Sequence, residues 1–139
     1  MNEVRTALEQ LFVNGLLNPE SVVEHAKDIS SPLHSHFEWD DSEAASKYRL
    51  HQARALIRSV KIQVNKSVPV MVRAFVSLPS DQQSGGGYRR MEDVVNNDFM
   101  LRQLTQEISN KIEQWERKAS EIGLVVDFGS VKESIKKAS

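Results

Sequence analysis

The chain contains no cysteine. Disulfides, thiolate nucleophiles and cysteine-based zinc sites are therefore excluded, and a cytoplasmic home is the expected one. No run approaches the roughly 18 apolar residues that a membrane span requires, so no membrane partner is expected. Aromatic residues make up only 6% of the sequence. The first ten residues, MNEVRTALEQ, are polar and acidic and do not read as a secretory signal. A net excess of positive charge is also missing, since the 139 residues sum to −1. A uniformly basic nucleic-acid binder is thereby excluded, but a locally basic one is not. Hydrophobic residues at 40% and charged residues at 27% fit one ordinary folded domain with a real core.

What is present is a sharp division of charge. Residues 1–41 carry two basic and eight acidic side chains, net −6. Residues 42–66 carry six basic ones (Lys47, Arg49, Arg54, Arg58, Lys61, Lys66) and one acidic one, Glu43, net +5. Residues 67–139 carry ten of each.

Hydrophobic spacing orders the elements. Val4, Ala7, Leu8, Leu11, Phe12 and Leu16 recur at three and four, which predicts a helix over 3–17 with its last turn weakened by Gly15. Asn18 then caps a second helix with Pro19 at its first position. Ser31-Pro32 starts a third, short helix carrying Leu33, Phe37 and Trp39. Asp40-Asp41-Ser42 opens a fourth over about 42–59, on which Lys47, Arg54, Arg58 and Lys61 gather toward one side. The period changes to two at Val60, predicting a hairpin of Val60–Val64 with Val68–Leu78. The segment 79–90, with three consecutive glycines, reads as a mobile or functional loop. A long helix over 91–122, kinked near Asn96-Asn97-Asp98, carries the stripe Leu101, Leu104, Ile108, Ile112, Trp115, Ala119 and Ile122. Gly123 caps it, 124–128 alternates as a third strand, and Ser130 with Glu133 forms a capping box for a last helix. The expected fold class is α+β. A helix-turn-helix-like lobe over 1–59 precedes a small three-stranded sheet on a long helix over 60–139.

Two resemblances follow from these residues. Ser31–Ala45, SPLHSHFEWDDSEAA, resembles the recognition-helix stretch of TetR-type repressors, with Pro32 and the lack of any Lys or Arg over Ser31–Asp41 as departures. The stretch from Ser31 to Val60, together with VRAFVSL and the later GGGYR, is similar to small uncharacterised proteins of phages and prophages. The resemblance implies a phage-like context of DNA-binding regulation, packaging, recombination or interference with a host protein.

The candidate site residues are of two kinds. For nucleic acid they are Lys47, Arg49, Arg54, Arg58 and Lys61, joined by Tyr88, Arg89 and Arg90 as an arm that lays an aromatic ring and two guanidiniums on its target. For a protein partner they are His34, His36, Phe37 and Trp39 in an acidic lobe. The i,i+2 spacing of His34 and His36 does not converge on a metal. GGGYRR is neither a phosphate-binding loop nor a dinucleotide fingerprint, and no serine sits in G-x-S-x-G. The sequence thus predicts a binding protein rather than an enzyme, without metal or cofactor. Its expected partner is DNA or else a host or phage protein, with homodimerisation through the long helix.

Overall fold

The computed structural model describes residues 2–40 and 42–138. The fold is α+β, 58% helical, with two small antiparallel sheets among the described residues. Helix α1 (Asn2–Glu9) buries Val4, Ala7 and Leu8, the i, i+3, i+4 face that its sequence predicts. It does not continue to residue 17. Asn14 and Gly15 take φ of 51° and 78°, and Val13 and Leu16 exchange both backbone hydrogen bonds, at 2.9 and 3.0 Å. Asn-Gly is the pair that tolerates positive φ at both central positions of a two-residue turn, so a tight reversal wins over the helical apolar spacing. Leu17 leaves this turn paired to Tyr88, and α2 (Pro19–Ala26) begins with extended Asn18 ahead of Pro19.

Ser31–Asp40 does not form a recognition helix. A three-residue 3-10 turn, His34–His36, is its only helical piece, and Leu33 and Phe37 on either side are buried. Helix α3 (Glu43–Ser59) then starts as expected, the Ser42 hydroxyl accepting the Ala45 N–H at 3.2 Å. Ala45, Ala53, Leu56 and Ile57 form its buried side, packed chiefly on α2.

The predicted hairpin forms only at its base. Strand β1 (Lys61–Ile62) pairs with β2 (Val72–Arg73) in the register Lys61↔Arg73 and Ile62↔Val72, and residues 63–71 connect them. At Ala74 the chain changes partners, and β3 (Phe75–Val76) pairs with β4 (Arg89–Arg90). The glycine segment is not a free connector. Helix α4 (Pro79–Gln83) occupies its start, and Gly86 N–H donates to the Asp81 carbonyl at 2.8 Å. Gly87, at φ 118°, is buried where a Cβ would meet Leu16 Cδ2 at 3.0 Å and Asn18 Oδ1 at 3.1 Å.

Val60, Ile62, Ala74 and Phe75 share one core with Leu8, Leu17, Val22, Leu33 and Ile57. The two compact units are accordingly Met1–Asp93 and Val94–Ser139, and the expected boundary at residue 59 runs through a continuous core. Where a kink in one long helix is expected, at Asn96–Asp98, the chain instead breaks into two helices, α5 (Met91–Val95) and α6 (Asp98–Glu121), and the first turn of α6 is capped by Asn97 Oδ1 accepting Met100 N–H at 3.0 Å. Gly123, at φ 79°, ends α6 as the sequence predicts. Residues 124–128 are not a strand, and Leu124, Val125 and Val126 stand exposed. The last helix, α7 (Gly129–Ala138), is entered through Asp127, which accepts the Gly129 N–H at 2.8 Å, in place of the Ser130–Glu133 box. Lys132 of α7 pairs with Glu116 of α6 at 2.6 Å, and that contact raises the lysine pKa. No described helix is long and apolar enough to cross a membrane.

Candidate nucleic-acid interface

Helix α3 carries its charge on the side opposite its buried residues. Lys47, His51, Arg54 and Arg58 follow at intervals of four, three and four, which a 3.6-residue turn places on one stripe. Lys61, three residues further on, continues the same order into β1. Arg54 is half-buried and the other four are exposed. Among the described residues, Lys47, Arg54, Arg58 and Lys61 make no ion pair and no side-chain hydrogen bond.

Sheet register adds a residue that the sequence reading passed over. Arg73 stands directly across from Lys61, and both are exposed. Like charges directly opposite one another on a sheet are destabilising, and no described acid offsets this pair. Lys66 lies on the exposed connection between the same two strands. One sequence signal marks the whole surface: from Ala44 to Ser80 there is no Asp or Glu, while seven Lys and Arg occur. Arg73 falls just outside the basic block of residues 42–66.

Arg49 belongs elsewhere. Its guanidinium donates to the carbonyls of Glu38 (3.1 Å) and Asp40 (2.8 Å) and to the Ser46 hydroxyl (3.0 Å), and lies 5.3 Å from the Trp39 ring. It fastens the segment before α3 onto that helix.

Tyr88, Arg89 and Arg90 form no arm. Tyr88 exchanges two backbone hydrogen bonds with Leu17, at 2.7 and 2.9 Å, and its side chain packs on the core. Arg89 grips Asp81 with both ends of its fork: Nε donates to Oδ2 at 2.9 Å and Nη2 to Oδ1 at 2.8 Å. Asp81 is 4% exposed, and the hydrogen bonds to it raise the Arg89 pKa. Arg90 Nε donates to Glu9 at 2.6 Å, and its guanidinium covers the Phe12 ring at 3.8 Å. Both cations are committed to carboxylates of their own chain.

The aromatic and histidine residues proposed for a partner are largely used in the fold. Trp39 Nε1 donates to the His34 carbonyl at 2.9 Å, and the His34 ring stacks on Trp39 at 4.9 Å. His34 Nδ1 lies 2.7 Å from the Ala26 carbonyl, which can only accept, so that nitrogen carries the proton. Phe37 is buried, and of the four only His36 is exposed. No group of three or more His, Asp or Glu that could hold a metal occurs among the described residues.

Comparison with family models, with curated proteins and with solved structures finds no match to this chain.

Proposed function

We propose that the protein is a small DNA-binding accessory or regulatory protein that meets the phosphate backbone with the α3 stripe and the β1–β2 hairpin. The observation that carries this reading is the set Lys47, Arg54, Arg58, Lys61 and Arg73, all unpaired and all but half-buried Arg54 exposed, on a surface whose own sequence holds no acid from Ala44 to Ser80. Unpaired clustered cations repel one another in the free protein. An anionic polymer relieves that repulsion and gains entropy from released counterions. A helix with a basic hairpin following it directly also suits a duplex in shape, since a helix or a two-stranded ribbon fits the major groove. The stripe holds no Asn or Gln to read adenine, and its lysines and arginines serve phosphates as readily as guanine edges, so it supports backbone contact more than sequence readout.

The test is a salt titration of binding to a short labelled duplex. With about four phosphates neutralised, the slope of log K against log salt is about −3.6, so affinity falls about 100-fold between roughly 50 and 200 mM salt. Arg54→Ala with Arg58→Ala flattens the slope by about 2. Arg49→Ala, which removes a cation already bound to carbonyls, leaves it unchanged. No binding at low salt overturns the reading.

A further inference from the structure

We propose that the tip of the β1–β2 hairpin is an apolar wedge that enters a base-pair step of duplex DNA and kinks it, with Pro69 and Met71 as the inserted side chains. Given the DNA binding proposed above, on which this inference rests, the hairpin has a second task besides phosphate contact. Residues 64–71, VNKSVPVM, hold five apolar side chains in eight positions. Val64, Val68, Val70 and Met71 are 37%, 45%, 55% and 59% exposed, and Pro69 is exposed as well. None of the five belongs to the core cluster or packs against it. Single exposed apolar residues are ordinary on any protein, but five gathered at one tip mark a contact surface.

The tip is held in shape. Gln63 Nε2 donates to the Val68 carbonyl at 3.1 Å, and Asn65 Oδ1 accepts the Ser67 N–H at 2.9 Å. Val68 N–H donates to the Asn65 carbonyl at 3.0 Å, and Val70 N–H to the Val68 carbonyl at 2.8 Å, across Pro69, whose ring fixes φ. Much of the ordering cost of a contact is therefore met before any partner arrives.

Charge and shape together identify that partner. Lys66 lies within the tip, Lys61 and Arg73 face one another at its base, and Arg58 precedes Lys61 by three residues. No acid occurs from Ala44 to Ser80, so the partner is anionic. The basic surface of α3 continues through the base of the hairpin to the tip, which gives both to one extended ligand. An anionic lipid surface fits less well. Hydrocarbon offers no partners to the open peptide groups of an irregular tip, and residues 63–71 hold no Trp, Tyr or Phe to lodge among headgroups. Between base pairs, the inserted side chains meet stacked bases while the peptide groups stay in a hydrated groove. Pro and Met are among the side chains with which minor-groove proteins unstack a step. A helix lying along one groove with an extension into the adjacent minor groove is a geometry that one duplex accommodates.

The test uses the full chain and a duplex of roughly 20 base pairs with a dye at each end, its centre either fully paired or mismatched. Binding is expected to bring the ends closer by a kink of about 20–90°. The mismatched duplex binds roughly tenfold tighter, because its central step is already partly unstacked. Pro69→Ser with Met71→Ser changes two exposed side chains, so unfolding in urea is unaffected. In that variant the salt slope keeps its unsubstituted value, while the bend and the preference for the mismatch disappear. With the unsubstituted chain, 2-aminopurine beside the mismatch brightens on binding, a readout that needs no variant. A duplex that is bound with the expected salt slope yet stays straight, with no preference for the mismatch, overturns the wedge and leaves the phosphate contact standing. No DNA binding at low salt overturns both, and capture on phosphatidylserine vesicles in that case gives the tip to a lipid surface.

Discussion

Individual arginines in this chain divide by what surrounds them. Arg89 and Arg90 sit beside one another on β4, yet one is drawn to Asp81, eight residues back, and the other to Glu9, 81 residues back. Asp81→Asn keeps the shape and removes the charge, leaving a largely buried guanidinium without its counter-ion. A loss of about 2–3 kcal/mol is expected in urea unfolding, with DNA affinity and salt slope unchanged. The folded Arg89 pKa lies above its unfolded value, so the stability from this clamp is fully present below the unfolded value. It is lost only as pH rises through the folded one, and it does not vary across neutral pH. Asp28 behaves in the opposite sense. The Ser30 backbone N–H, and after it the Ser30 hydroxyl, donate to its carboxylate and hold the pKa below the ordinary value. What it contributes is present above the ordinary carboxylate range and is lost as pH falls through the lower folded value. An NMR titration of the Asp28 carboxyl gives a depressed midpoint, and Ser30→Ala moves it upward while retaining the backbone share.

At the scale of elements, local signals decided starts and reversals. Ser42 fixes where α3 begins, and through it the phase of the basic stripe. Ser42→Ala is expected to cost about 1 kcal/mol, read by thermal unfolding, and to fray the turn before Lys47. The Asn14–Gly15 turn cuts off α1 and sends Leu17 toward Tyr88. Gly15→Val forces a β-branched residue to φ near 78° and is expected to cost more than about 1 kcal/mol by urea unfolding. Strands are shorter than alternation predicts, since the chain changes partners at Ala74 and the neighbours Ala74 and Phe75 are both buried. Alternation reports which face is buried and carries no information on which neighbour supplies the hydrogen bonds.

Over the whole molecule, a net charge of −1 hides a division that a polyanion can read. The long-range attraction is weak, so the proposed DNA binding rests on one face. Affinity therefore follows the exposed cations one by one, while reversing acids elsewhere changes the association rate more than the salt slope. Replacing Arg73 with Ala is expected to do two things together: flatten the slope by about 1, and relieve the repulsion with Lys61, so that stability in urea is unchanged or slightly higher.

By itself the sequence determined the α+β class, the helix starts at Asn18 and Ser42, an interruption of the helix near Asn96–Asp98, the Gly123 stop and the basic side of α3. All of these rest on spacing, caps and turn chemistry within a few residues. Only the tertiary structure decided which cations are free. Ion pairs such as Arg90 with Glu9, the register that sets Arg73 beside Lys61, and the burial of Leu33 and Phe37 in what resembled a recognition helix all join residues far apart in the chain. No local pattern encodes those distances. A guanidinium beside a carboxylate and one facing water are the same letter in the sequence, and they differ only in what the fold brings to them.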